Sequence, residues 1–235
     1  MSLSYIGSEL ELFSNAINWK AYVARQIGRF VSGRVLDVGA GIGSNISYLS
    51  GPSVTEWVAL EPDAALAARI AGEVAKGELP NSCRVINGTV DTLASTEQFD
   101  TILYMDVIEH IADDAVELQR AADHLAPRGR LVVLAPAHQF LFSPFDAAIG
   151  HYRRYTAGSL RRAGPRDCRV EFCRMLDSVG FFASLANRIL LRSAQPSLAQ
   201  IGFWDRVMVP LSRVADPASG FTFGKSVAVV WSRGN

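Results

Sequence analysis

Cysteine is scarce in this chain. Cys83, Cys168 and Cys173 are the only three in 235 residues, an odd number with no C-x-x-C spacing, which argues against a disulfide framework or a structural zinc site. Lysine is as rare: of 23 basic residues only Lys20, Lys76 and Lys225 are lysine, and the arginines are spread as a genome bias would spread them. No excess charge of either sign exists, since 23 basic residues meet 23 acidic ones, so no global field draws in nucleic acid or membrane. No apolar run approaches the roughly 18 residues needed to span a bilayer. The opening MSLSYIGSELELF has neither a basic start nor a long apolar core, so no signal peptide is expected and the cytoplasm is the simplest compartment. No repeat or low-complexity linker divides the chain, and 49% hydrophobic residues suffice for one large core.

The apolar pattern alternates between two periods. Leu10, Phe13, Ile17, Tyr22, Ile27 and Phe30 recur at helical spacing and predict a helix over 8–31. Short apolar runs at 34–38, 57–61, 84–86, 99–105 and 130–135 read as strands, with helical stretches at about 44–50, 63–77, 112–125 and 156–163 between them. Strands alternating with helices imply a doubly wound, mostly parallel sheet covered on both faces. Two later strands, 169–176 and 226–231, flank a helical stretch over 178–215 that Pro196 and Pro210 are expected to interrupt. These complete seven strands, one of them antiparallel near the edge, in a single domain. Its parts are a helical cap (1–32), a ligand-binding core (33–137) and a substrate-side region (138–235).

The strongest local signal is Asp37-Val38-Gly39-Ala40-Gly41-Ile42-Gly43 at the end of the first strand. Missing Cβ atoms there let a ligand lie against the backbone. The dinucleotide fingerprint wants glycine at position 44, where this chain has Ser44. Glu61 ends the second strand, where a carboxylate can accept hydrogen bonds from ribose hydroxyls. A nicotinamide dehydrogenase is disfavoured by Ser44 and by the lack of a tyrosine followed four residues on by lysine. Gly220-Phe221-Thr222-Phe223-Gly224-Lys225-Ser226 has the wrong glycine spacing for a phosphate loop and precedes a strand instead of following one.

The glycine spacing, together with Asp106-Val107-Ile108-Glu109-His110 after the fourth strand and Leu125-Ala126-Pro127-Arg128-Gly129-Arg130 before the fifth, resembles class I S-adenosylmethionine-dependent methyltransferases. The resemblance runs from about 34 to 156 and is nearest the type 11/12-like bacterial branch acting on small molecules or glycans. It implies that the methyl donor S-adenosylmethionine touches Asp37, Gly39, Ala40, Gly41, Glu61 and Pro62, with Thr89, Val90 and Asp91 near the adenine and Met105 near the methionine end.

The block from Pro136 to Thr156 then reads as a substrate wall, with Tyr152, Arg153 and Arg154 as acceptor contacts and His110 and His151 as bases for a hydroxyl. The set Asp106, Glu109, His110 and His151 also resembles a pattern in ubiquinone-biosynthesis and small-RNA 2′-O-methyltransferases, where such residues can hold a divalent metal. A metal-free base is the favoured expectation. The acceptor is expected to be a small molecule or glycan, not nucleic acid. Two alternatives stay open: a donor-binding pseudo-methyltransferase or regulatory subunit, and an enzyme for a lipid-linked acceptor. The latter rests on Phe182, Leu185, Ile189, Leu190, Phe203, Trp204 and Val207 among arginines.

Overall fold

Seven short runs rich in valine, isoleucine and leucine pair into one sheet in a computed structural model of the chain, which describes residues 9–186 and 197–235. The strands are β1 (Gly33–Val38), β2 (Val54–Glu61), β3 (Cys83–Asn87), β4 (Phe99–Met105), β5 (Leu125–Pro136), β6 (Cys168–Leu176) and β7 (Ser226–Arg233). Their order is β3-β2-β1-β4-β5-β7-β6. β1 to β5 pair in parallel, and β7 runs antiparallel between β5 and β6. Because β1 pairs with both β2 and β4, the winding reverses there, and a crevice opens beyond the carboxyl ends of those strands.

Both faces are covered, so alternate residues of each strand feed two separate cores. Val35, Trp57, Ala59, Leu103, Val132 and Val230 pack on one side against α2 (Ile17–Ile27), α3 (Ile46–Leu49) and α4 (Ala64–Ala75). Leu36, Val58, Leu60, Ile102, Val133 and Trp231 pack on the other against α5 (Asp114–Asp123) and α7 (Ala157–Ala163). α4 starts cleanly because Asp63 caps it, accepting from the N–H groups of Ala65 and Leu66 at 2.8 and 3.0 Å.

Two helical expectations need correction. The helix predicted over 8–31 is two helices, α1 (Glu9–Ser14) and α2, with the break at Asn15-Ala16. Ala16 offers no side-chain cap to α2, and Asp205 supplies one from across the fold, accepting from the N–H groups of Asn18 and Trp19 at 3.2 and 2.8 Å. The predicted interruption at Pro210 is absent. A π-turn (Trp204–Met208) joins α9 (Leu198–Phe203) to α10 (Val209–Ala218), and Pro210 falls in the first turn of α10, where a missing N–H is tolerated. α8 (Ser178–Ala186) precedes them, while Pro196, Ile189 and Leu190 lie outside the described residues.

A buried polar network holds these late helices to the sheet. Asp216, fully buried on α10, accepts from Tyr22 Oη at 2.6 Å and from the N–H groups of Asp177 and Ser178 at 2.7 and 2.9 Å. Asp177, also fully buried, accepts from Trp204 Nε1 and Ser212 Oγ, each at 2.7 Å, and from Gly180 N–H at 3.0 Å. Removing the Asp216 carboxylate orphans three donors away from water, each costing about 1–3 kcal/mol. Asp216→Ala is therefore expected to lower the unfolding free energy by about 3 kcal/mol or more in urea titrations, and Tyr22→Phe by about 1 kcal/mol.

Candidate functional site

The crevice is built around the turn that follows β1. Gly39 and Gly41 have φ of +66° and +59°, and a Cβ on Gly39 would lie 2.8 Å from Val107 Cγ2. Only glycine fits such a position, so the turn can press against the segment after β4. The N–H groups of Gly39 and Ala40 donate to the Leu60 carbonyl at 2.8 and 3.2 Å, which ties the turn to the end of β2. Glu61, 4% exposed, accepts from Gly41 N–H through Oε2 at 2.7 Å and from Asp63 N–H through Oε1 at 2.9 Å. Burial nonetheless raises its pKa. Each oxygen keeps a lone pair for a ligand hydroxyl.

A cavity of about 1740 Å³ opens here, and its wall includes Gly39, Ala40, Gly41, Glu61, Pro62, Thr89, Val90 and Met105. Asp37 and Asp91 are not part of that wall. Asp37 is wholly buried under the turn, and neither oxygen has a well-aligned hydrogen bond among the described residues. Burial pushes its carboxyl up to about 7, with Asn45 and Trp57 close enough to oppose the shift. Asp91 faces outward because it follows buried Val90 in a one-turn helix, and it pairs with Arg120 at 3.3 Å on the surface.

The other half of the cavity joins the loops after β4 and β5. Tyr152 N–H donates to the Glu109 carbonyl at 2.8 Å, which brings the His110 and His151 rings edge to face at 4.5 Å. His151 Nδ1 lies 2.9 Å from Asp146 Oδ1, and its Nε2 lies 3.8 Å from Glu109 Oε1. Asp146 is 1% exposed and also accepts two hydrogen bonds from Arg154, each at 2.9 Å, and those of Ser143 N–H and Oγ at 2.8 and 2.7 Å. Burial would raise this carboxyl, but the bonds from His151 and Arg154 outweigh it and hold Asp146 well below the usual range.

Glu109 is 1% exposed, with Oε2 unpartnered among the described residues, and burial with nearby Asp106 raises its pKa strongly. Burial, reinforced by the charge of His151, pushes His110 down to about 4. Asp106 lines the cavity with φ +54° and is exposed to it, and desolvation by the surrounding walls pushes its carboxyl up to about 6 against the charges of His151, Lys225 and Arg154.

Of the four residues in the metal pattern, three converge. Glu109, His110 and His151 bring one ligand atom each to within 4.8 Å of one another, without Asp106. Asp106, with a left-handed backbone, lines the same cavity near Glu109 without bringing a ligand atom into that group. The acceptor contacts divide as well. Tyr152 and Arg154 line the cavity, whereas Arg153 is drawn away by Asp114 at 2.8 Å and the Ala112 carbonyl at 2.6 Å. Of the apolar stretch, Phe182, Phe203 and Val207 are exposed, while Trp204 is buried in the cavity wall.

Sequence reasoning included Asp146 in the substrate-wall block but gave it no role of its own; its signal was the capping box Ser143-Pro144-Phe145-Asp146 at the start of α6 (Pro144–Ala148). It also gave no site role to Lys20, which no motif marks, or to Lys225, which lies in the rejected Gly220–Ser226 loop; both are in the cavity wall.

A sequence family described as a methyltransferase domain matches residues 15–166. The ubiquinone biosynthesis O-methyltransferase of Bradyrhizobium diazoefficiens is 35% identical over 100 residues, which are 43% of this chain and 38% of that protein. Its counterpart from Nitrobacter winogradskyi is 32% identical over 113 residues, 46% of this chain and 40% of that protein. The chain thus spans well under two thirds of the curated relatives it matches. An S-adenosylmethionine-dependent methyltransferase from Clostridium acetobutylicum superposes with a TM-score of 0.58 at 10% identity, covering 94% of this chain and 93% of that one. At that identity the likeness concerns the fold alone. Among the described residues no helix is long and apolar enough to cross a membrane.

The state of Asp37 sets a pH dependence. Its folded pKa of about 7 lies above the unfolded value near 3.9, so its contribution is fully present below about pH 4 and declines as pH rises through about 7. Asp37→Asn cannot ionise. Urea unfolding should therefore find wild type losing stability relative to Asp37→Asn between about pH 4 and pH 7. A difference that stays constant with pH would show that Asp37 is ionised throughout.

Proposed function

The chain belongs to the methyltransferase-domain family, and from that premise we propose that it is an S-adenosylmethionine-dependent methyltransferase whose acceptor is a hydroxyl of a small molecule or glycan. The observation that carries this reading is the Asp146–His151 pair, placed in the same cavity as the glycine turn. The residues present suit the donor. The turn after β1 offers bare backbone, and Glu61 offers lone pairs to a ribose diol. When bound, the donor supplies a methyl group on a positively charged sulfur.

An ionised Asp146 accepting from His151 Nδ1–H fixes the tautomer and leaves the Nε2 lone pair free to take a proton from a hydroxyl. His110, whose pKa is near 4, stays neutral at pH 7 and adds no competing charge. The curated relatives are named as O-methyltransferases, which agrees with a hydroxyl acceptor.

The convergence of Glu109, His110 and His151 supports a second version of the same reading. One carboxylate and two imidazoles suit a divalent transition metal, which would lower the hydroxyl pKa when bound. Asp146 would then orient the His151 ligand from behind.

Glu61→Gln should weaken donor affinity by about 1.5–3 kcal/mol in calorimetry and also lower the unfolding midpoint, since the amide accepts from only one of the two N–H groups and leaves the other unpaired, at about 1–3 kcal/mol. An unchanged affinity would remove Glu61 from the donor site.

His151→Ala and Asp146→Asn are expected to keep donor affinity and to lower turnover, about 10²–10⁴-fold for His151→Ala, with a hydroxyl acceptor drawn from a panel of phenols and sugars. Chelation that reproduces the loss, reversed by added divalent cation, selects the metal version. Indifference to chelation selects the base alone. Turnover unaffected by His151→Ala sinks both.

A further inference from the structure

Lys225 has an unusual setting for a lysine. Its backbone is pinned on both sides: its N–H donates to the Asp177 carbonyl at 3.0 Å, and its carbonyl accepts from Ala137 N–H at 2.8 Å. Its side chain lines the cavity, with Nζ 4.4 Å from the centre of the Trp204 ring. Trp204 is itself locked, because its indole N–H donates to Asp177 at 2.7 Å. The ammonium is thus held over an aromatic face instead of reaching for water.

No carboxylate lies within ion-pair distance of this ammonium among the described residues. The segments 1–8 and 187–196 contain no aspartate or glutamate that could reach it. The neighbouring acids are otherwise engaged. Asp177 is filled by Trp204, Ser212 and Gly180, and Asp146 by Arg154, His151 and Ser143. Asp106 shares the cavity and acts only at longer range. Behind Lys225, Arg154 contributes more positive charge, and its Nη1 is buried with no hydrogen-bond partner.

A half-buried ammonium is costly to hold unless an anion meets it. Lysine is also the rare cation here, yet two of the three lysines line this cavity. Lys225 precedes β7 at Ser226, which pairs with Pro136 and Leu176 at the carboxyl ends of β5 and β6. That is the side of His151 and away from the glycine turn of β1.

We infer that the acceptor carries an anionic oxygen group, a carboxylate or a phosphate, and that Lys225 receives it. The inference rests on the methyl-transfer reading above and names the class of acceptor for that same cavity. A compact point charge suits either group, and it would orient the acceptor so that its hydroxyl is delivered toward His151.

The test uses the full chain saturated with the demethylated donor, S-adenosylhomocysteine. Calorimetry then measures 4-hydroxybenzoate, its uncharged methyl ester and inorganic phosphate at millimolar concentrations. The expected result is binding of at least one anion, with the ester at least about tenfold weaker if the carboxylate is the one bound. Lys225→Met should weaken that anion by about tenfold or more and leave S-adenosylhomocysteine affinity unchanged, while Lys225→Arg, which keeps the charge, should stay within a few-fold of wild type.

Tighter binding of 4-hydroxybenzoate identifies a carboxylate acceptor, and tighter binding of phosphate a phosphorylated one. The inference is overturned if neither anion binds, if the ester binds as well as 4-hydroxybenzoate and phosphate does not bind, or if Lys225→Met weakens S-adenosylhomocysteine instead. Absence of S-adenosylhomocysteine binding to wild type would overturn the underlying reading as well.

Discussion

The close approach of Gly39 to Val107 is the contact on which the rest of the site depends. With positive φ, no Cβ and its N–H on the Leu60 carbonyl, Gly39 lets the ends of β1, β2 and β4 meet without a side chain between them. That meeting leaves backbone facing the crevice for a donor and also sets where the chain goes after β4. Asp106 then takes a left-handed turn, the one-turn helix Ile108–His110 follows, and Glu109 and His110 arrive at the cavity. A larger residue at 39 would push the glycine turn and the segment after β4 apart.

Buried acids in this fold divide by how they are satisfied. Asp146, Asp177, Asp205 and Asp216 are each at least nine-tenths buried, and each accepts several hydrogen bonds from groups distant in sequence or at a chain corner. Their burial is repaid by those bonds, and they act as rivets between α2, the late helices and the loop after β5. Asp37 and Glu109 are equally buried but keep unpartnered oxygens among the described residues. Burial without such bonds raises the pKa of both carboxyls, whereas Asp146 is held down. One lies beneath the glycine turn and the other beside His151.

How much could be read in advance varied with the range of the interaction. The seven strands were legible because period-2 and continuous apolar runs reflect local burial, and the glycine turn because positive φ demands glycine whatever surrounds it. Spacing also pointed to Glu61 and His151, which the structure has in the cavity wall. The α1–α2 break was not, because its cap is Asp205, nearly two hundred residues away. Asp91 and Arg153 were assigned by position along the chain, yet each turns to a surface partner, Arg120 and Asp114.

The amino-acid sequence by itself determined the doubly wound sheet, the glycine turn after β1 and the two histidines that line the cavity, because each follows from local backbone preference or from a short motif. Tertiary structure alone decided that Asp146 stands behind His151, that Glu109, His110 and His151 and not Asp106 bring ligand atoms together, and that Lys225 lies over Trp204 with no carboxylate at ion-pair distance among the described residues. Those outcomes come from loops after different strands meeting at one edge of the sheet. The energy of a charge depends on which groups meet it there, not on its neighbours along the chain.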